Sequence, residues 1–424
     1  MLSIEENDLV TKTGAGTPMG DLYRRFWVPV LLADELPVPD CTPVRVQVMG
    51  EHLIAFKDTN GRIGLLDRRC PHRSANLFFG RNEEGGLRCA YHGWKYDVDG
   101  NCLDIPNAPE GASFKDKITT FAAYPAVERG GLVWAYLGPK ELQPPFPEFE
   151  LNQVPESHRY ITKVFLDGNW LQHMEGEIDS SHVGFLHSRI DSGMSPLQAR
   201  GRMGIDVFKD QAPTWVFKDT DYGIMLGALR KSGEGKNYWR VNQWIMPSFT
   251  MIAAKPGTPV HLQMRVPIDD EHSIFFRAIW HPTRPLTEEE LHDARDVGVN
   301  FPELLPGEFR GKENMGNDYL IDRAVQRTTS FTGIKSIPAQ DWAMQESMGG
   351  PVPDRSIEHL VSADAAIIAV RKRLLKTLQD LQEGLEPAES QAGTRYGVRS
   401  IDIMLEPEAT VWEDAKEYLE AQAW

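Results

Sequence analysis

Between residues 44 and 136 the chain breaks into short strand-like runs, at 44–48, 53–56, 63–66, 95–98 and 132–136, with apolar and polar positions alternating most plainly at 44–48. Turn dipeptides such as Asn60-Gly61 and Asp99-Gly100 separate them. A period of two sends successive side chains to opposite faces, so the region is predicted to be a small antiparallel β domain. Ahead of it, residues 22–27 read as a short helix that docks on a neighbour. Gly138-Pro139 and then Pro144, Pro145, Pro147 and Pro155 mark an extended linker. The expected division is 1–143, a linker at 144–156, and 157–424. Past the linker the period lengthens. Residues 170–187 have helical spacing, 205–280 return to strand-like runs such as 238–244 and 273–280, and Thr287 with Glu290 makes a capping box for a helix at 287–297. A second helix is predicted over 362–382, with Ile367, Leu374, Leu378 and Leu381 on one broad face. The fold class is α+β: an antiparallel β domain followed by an antiparallel sheet with helices.

Charge narrows the function classes. The 424 residues hold 45 Lys plus Arg against 61 Asp plus Glu, a formal net charge of -16. Such a surface repels phosphate backbones and anionic lipid, so nucleic acid and membranes are not expected partners. There is no run of about 18 apolar residues, and the first residues are acidic where a signal peptide is basic; a cytoplasmic protein is expected. Gly14, Gly16 and Gly20 lack the spacing and the preceding strand of a nucleotide loop, and Pro18 stands among them. Four cysteines are too few for a disulfide scaffold and point to metal or redox chemistry instead.

Two of the four carry that chemistry. Cys70-Pro-His72 is separated by sixteen intervening residues from Cys89-Ala-Tyr-His92. Two such loops can aim two thiolates and two imidazoles at one point, the mixture needed by a two-iron cluster whose irons are to differ in reducibility. A structural Cys₂His₂ zinc site is the competing reading. Cys41 and Cys102 lie outside the pattern and read as structural thiols.

A second constellation lies within residues 169–187, where Glu175, Asp179 and His182 stand at i, i+4 and i+7 and are expected on one helical face. His187 is five residues from His182, so both can reach one metal only if the helix breaks, which is predicted near Gly184. A carboxylate from elsewhere would complete a two-His-one-carboxylate face on ferrous iron, leaving positions open for oxygen. His173 reads as a packed histidine, and Glu175 and Glu177 as supporting or solvated groups.

At the Cys-His loops the chain resembles the Rieske [2Fe–2S] family, which implies Cys70 and Cys89 on one iron and His72 and His92 on the other. The extra cysteine pair of respiratory Rieske proteins is missing, which favours the lower-potential oxygenase or ferredoxin branch. With the histidine pair added, the sequence resembles the catalytic α subunit of Rieske non-haem iron oxygenases. Segments 16–20, 81–89, 114–117 and 345–349 make it similar to the group that includes phthalate 4,5-dioxygenase. The resemblance implies His182, His187 and Asp341 on a mononuclear Fe(II), Asp341 standing five residues before Glu346 as in the family. It also implies that Asp179 joins His182 to the His92 of an adjacent subunit as an electron path, within a homotrimer or two stacked trimers. No flavin or nicotinamide motif is present, so electrons are expected from NAD(P)H through a separate reductase. The implied reaction is hydroxylation of an aromatic carboxylate with O2, by phthalate-like ring dihydroxylation. The group also holds O-demethylases of methoxylated aromatic acids, which release formaldehyde. A Rieske electron carrier with a non-catalytic second domain is the rival from another class. An acidic protein that binds an aromatic acid needs a local cation, and Arg230, Arg240 and Arg265 are the candidates.

Overall fold

The computed structural model describes residues 1–424 except 110–117, 119–120, 192, 196, 198–203, 234, 296–299, 391–396 and 422–424. The resemblance segment 114–117 and the last two residues of the helix predicted over 287–297 lie outside the described residues. The chain opens with two short helices, α1 (Ile4–Thr11) and α2 (Pro18–Tyr23). Ser3 and Glu6 close a capping box on the first, and Thr17 caps the second with Pro18 in its first turn. Residues 22–27 therefore end a helix and begin a strand.

Three small antiparallel sheets follow. One has the order β1 (Trp27–Leu32), β10 (Leu132–Tyr136), β9 (Ala126–Arg129); another joins β2 (Val44–Val48), β3 (Glu51–Lys57) and β4 (Ile63–Asp67). The third runs β5 (Arg81–Glu83), β6 (Gly86–Arg88), β7 (Lys95–Tyr96), β8 (Cys102–Asp104). Both cysteine-histidine loops rise from the last two sheets. The Pro-rich stretch differs from the extended spacer expected of it. Short 3₁₀ turns form at Glu150–Asn152 and Glu156–His158, and Phe149, Leu151 and Val154 are buried in a core continuous with both halves of the chain. Prolines at 144–155 supply bends, while the apolar residues between them supply contacts.

The second half is built on one antiparallel sheet in the order β11 (Arg159–Leu166), β17 (Ser273–Trp280), β16 (Val260–Pro267), β15 (Phe249–Met251), β14 (Asn237–Ile245), β13 (Gly223–Lys231), β12 (Thr214–Asp219). β18 (Ile401–Leu405) returns to pair with the first half of β14, beside the stretch that pairs with β15. Across the sheet lie α3 (Trp170–Ile178), α4 (Val183–Leu186), α5 (Glu288–Arg295), α6 (Ile337–Glu346) and α7 (Ala365–Gln382). The Thr287–Glu290 capping box is present at the start of α5. Asn169 caps α3 and, through its Nδ2, ties that end to the carbonyls of Thr11 and Asp270. Beneath α3, Glu175 is buried between Arg355 and Arg371, and Arg371 also holds Glu358. Glu175 is thus part of a buried ionic network that locks α3 to α7 and faces away from the chemistry.

Candidate metal centres and substrate cavity

The two cysteine-histidine loops share one backbone plan. In the first, the Cys70 N–H donates to Ala75 O and Ser74 N–H to Cys70 O; in the second, Cys89 N–H donates to Trp94 O and Gly93 N–H to Cys89 O. The fourth residue after each cysteine is left-handed, with φ of 58° at Ser74 and 77° at Gly93. A side chain on Gly93 would also meet Pro106 Cγ at 2.7 Å, so glycine is required there. The plan buries both thiols and brings the His72 and His92 rings to 4.5 Å, with Trp94 stacked on His72. Tyr96 Oη lies 3.2 Å from Cys70 Sγ. Two buried thiols beside two accessible imidazoles on paired hairpin loops fit a [2Fe–2S] group.

The second centre is assembled from distant segments. α3 ends at Asp179, whose ψ is 113°, and a new turn begins because Asp179 Oδ1 accepts from the backbone N–H of Ser181 at 2.6 Å and of His182 at 3.4 Å. The break therefore falls three to five residues before Gly184, where it was expected, and Glu175, Asp179 and His182 do not share a helical face. His182 and His187 bracket the single turn of α4, which places their rings 5.3 Å apart. α6, capped by Ser336 with Pro338 in its first turn, brings Asp341 to both: its Oδ1 is 3.4 Å from His182 Nε2 and 3.2 Å from His187 Nε2. One atom from each of the three side chains falls within 4.8 Å of the others.

The outer nitrogens of the two imidazoles are held differently. His182 Nδ1 faces Asp179 Oδ2 at 3.4 Å, whereas His187 Nδ1 is 2.8 Å from Gln340 Oε1. Gln340 Nε2 donates to Ile334 O at 2.8 Å, which fixes the amide so that its oxygen faces His187. His187 must then carry its proton on Nδ1 and present a lone pair at Nε2. Burial opposes a charge on His182, but Asp179 and Asp341 outweigh it and push its pKa up to about 10. Desolvation at this half-buried position opposes a charge on Asp341 too, yet the two histidines hold its carboxyl well below the usual range. Two carboxylates flanking one buried imidazole call for a cation at this point, and two imidazole nitrogens with one carboxylate fit iron.

His173 is separate from this set. Burial, with Arg265 nearby, pushes its pKa down to about 3, and its Nδ1 meets Gln345 Oε1 at 2.8 Å. Gly176 makes room for that glutamine, since a Cβ there would lie 2.0 Å from Gln345 Nε2.

A cavity of about 360 Å³ opens at the three converging side chains. Alternate residues of two strands form its floor in register: Arg265 opposite Phe275, Gln263 opposite Arg277, His261 opposite Ile279. Phe301, Ile337 and Trp342 add apolar wall. The three expected cations are placed differently. Arg230 is outside the lining, donates to the carbonyls of Asp210 and Ser180, and burial lowers its pKa to about 10. Arg265 lines the cavity but is held by Glu177, with Nε at 2.7 Å, and lies 3.7 Å over the Phe275 ring. Glu177 also accepts from Thr250 Oγ1. Arg240, also lining the cavity and only 3% exposed, has one long contact, Nη1 to Asp402 Oδ2 at 3.4 Å, and its Nε is buried without a partner among the described residues. Sequence reading missed Gln340 and Gln345, which have neutral side chains, and Arg277 and Lys255, which only the strand register and the cavity reveal.

Twin cysteine-histidine loops followed by a histidine-histidine-aspartate centre on an antiparallel sheet define a Rieske non-haem iron oxygenase, and the chain belongs to that family. The Rieske [2Fe-2S] domain family matches residues 26–122, and the LigXa C-terminal domain like family matches residues 135–416. Among named proteins, the chain is 37% identical to the phthalate 4,5-dioxygenase oxygenase subunit of Pseudomonas putida, over 93% of this chain and 89% of that one. It is 34% identical to the 3-chlorobenzoate-3,4-dioxygenase oxygenase subunit of Comamonas testosteroni over 98% of both, and 31% identical to the 5,5'-dehydrodivanillate O-demethylase oxygenase subunit of a Sphingobium over 91% and 83%. In fold it matches dicamba monooxygenase bound to dicamba, with a TM-score of 0.58 at 19% identity over 85% of this chain and 98% of that one. The protein is thus the oxygenase subunit of a Rieske oxygenase, an oxidoreductase with a [2Fe–2S] cluster and a mononuclear iron that works with O2 and a separate reductase. Among the described residues no helix is long and apolar enough to cross a membrane.

Proposed function

We propose that Cys70, Cys89, His72 and His92 hold the cluster, that His182, His187 and Asp341 hold the iron, and that the cavity takes an aromatic carboxylate for ring dihydroxylation. The observation that carries the substrate class is Arg240. A buried guanidinium with five donors and one long contact is an anomaly in a folded interior, and it stands in the wall of the cavity. A carboxylate satisfies it bidentately. Arg265 is already neutralised by Glu177 and serves as floor. Phe275, Ile279 and Trp342 give the ring apolar contact and exclude water. The phthalate and chlorobenzoate relatives, named for aromatic acids, support the same reading.

Held by these residues, a [2Fe–2S] cluster would supply single-electron transfer and a mononuclear iron would supply O2 activation. The chain's own groups do the positioning. Gln340 fixes the tautomer of His187, the Asp179 carboxylate 3.4 Å from His182 Nδ1 raises that ring's basicity, and Arg240 fixes which edge of the substrate ring faces the centre. In ring dihydroxylation O2, two electrons and two protons add across one ring C=C, so both oxygen atoms stay in the product.

We assign the electron connection to a pair of copies, with His92 of one chain set against Asp179 of another in a homotrimer or a stacked pair of trimers. Exposed apolar side chains flank both centres and favour such burial: Tyr91 beside His92, and Phe185, Phe331 and Met344 around the iron site. We also place the protein in the cytoplasm, in keeping with a chain that has only four cysteines, two of them in the cluster loops.

Product analysis tests the reading. Protein loaded with iron and supplied with a surrogate reductase and ¹⁸O₂ is given phthalate, 3-chlorobenzoate and methoxybenzoates. A diol carrying both labelled atoms, without formaldehyde, is the expected result. Formaldehyde with loss of a methyl group would make the protein an O-demethylase.

A further inference from the structure

On a chain of formal net charge -16, the rim of the first cluster loop is basic. Arg45, Arg68, Arg69, Arg73 and Arg81 are all exposed there. Arg69 pairs with Asp67 and Arg81 with Glu83, but Arg45, Arg68 and Arg73 have no carboxylate within salt-bridge distance among the described residues. The rim is a connected structure. The backbone N–H of Leu77 donates to Arg68 O, Arg69 bridges to Asn76, and the Arg45 guanidinium lies 3.4 Å over the Phe78 ring, which packs on Phe79. Phe79 is 69% exposed, a large aromatic left in water beside unpaired cations. The Cys70 N–H closes the same loop on Ala75 O, so this patch stands within a few residues of the cluster ligands.

We infer that this arginine-phenylalanine rim is the docking surface for the electron-donating domain of the separate reductase, and that the donor presents an acidic face. The inference rests on the reading that the two loops hold the cluster. Charge supports this occupant over a second copy of the chain. A strongly acidic molecule gains no solubility from concentrating unpaired arginines at one spot, while an acidic donor is attracted to such a spot on a surface of otherwise like overall charge. Exposed charges on such a rim act mainly on encounter rate, which salt screens over about 8 to 10 Å, and Phe79 supplies the apolar contact once the partners meet. Arg73 lies over the Tyr91 ring at 5.7 Å, so it stays with Tyr91 and His92 for the neighbouring copy, and the donor-facing part of the rim is Arg45, Arg68 and Phe79.

The test uses the full-length oxygenase with its cluster oxidised, mixed anaerobically with a dithionite-reduced, acidic plant-type [2Fe–2S] ferredoxin. Rapid freeze-quench EPR separates the two clusters. In wild type the second-order rate should fall steeply with ionic strength. In Arg45→Glu/Arg68→Glu it should fall about ten-fold at low salt with a flattened salt dependence, and Arg45→Gln/Arg68→Gln should lie between. Cluster absorption and direct reduction by dithionite should be unchanged in both variants. Equal rates and equal salt slopes in all three proteins would overturn the inference. So would a change in oligomeric mass with no change in rate, which would make the rim a contact between copies. A wild-type protein without cluster absorption would overturn the cluster reading itself, an outcome distinct from a failed docking surface.

Discussion

The two metal centres are built by opposite strategies. The cysteine-histidine loops are local: each carries its cysteine and histidine within four residues, and the same pair of backbone hydrogen bonds shapes both. The iron site is global: His182 and His187 come from a broken helix, Asp341 from another helix more than 150 residues later, and their meeting depends on the packing of α3 and α6 against the sheet. A local site depends on turn chemistry and a global one on support, and the support around the iron is correspondingly elaborate. Asp179 and Gln340 each act through a histidine of the set.

The largest difference between the centres should appear on removing that support. Asp179→Asn should keep both metals yet lower turnover about 10- to 100-fold, measured as coupled product formation, because a carboxylate partner of a ligand imidazole is replaced by a neutral one. Arg240→Met comes next: KM for aromatic carboxylates should rise about ten-fold or more, with a smaller change for an uncharged ring analogue, as expected on losing a charge-assisted hydrogen bond. In Gln340→Leu the His187 tautomer is no longer fixed, so Fe(II) or Co(II) affinity by equilibrium dialysis should fall about ten-fold while Gln340→Glu retains it. The smallest effect belongs to the local site. Tyr96→Phe removes a hydrogen bond at Cys70 Sγ and should lower the cluster potential in spectroelectrochemistry without loss of the cluster.

The same contrast explains what the sequence made legible. The two cysteine-histidine pairs stood out from spacing because each loop is contiguous in sequence. The strands at 44–48, 63–66 and 132–136 were visible for the same reason, and each is present. Trp27–Leu32 was hidden by Pro29 and by full burial, which erases alternation. The strands Arg81–Glu83, Gly86–Arg88 and Cys102–Asp104 are too short to show a period. From the five-residue offset of His182 and His187 a break was expected between them near Gly184; the helix breaks instead at 179–181, ahead of both histidines. The cause is the Asp179 carboxylate capping the next turn, a side-chain bond that composition does not reveal. Asp341 was reached only by resemblance, and Arg240 stood out from Arg230 and Arg265 only once their partners were known.

The most direct test of the two-centre account is iron and acid-labile sulfide analysis of wild type beside Asp341→Ala, with visible spectra of both. The account predicts about three irons per chain in wild type, about two in the variant, unchanged sulfide and an unchanged cluster spectrum, with turnover lost. Iron content that stays the same in Asp341→Ala, or a cluster that bleaches with it, would contradict an independent mononuclear centre at His182, His187 and Asp341.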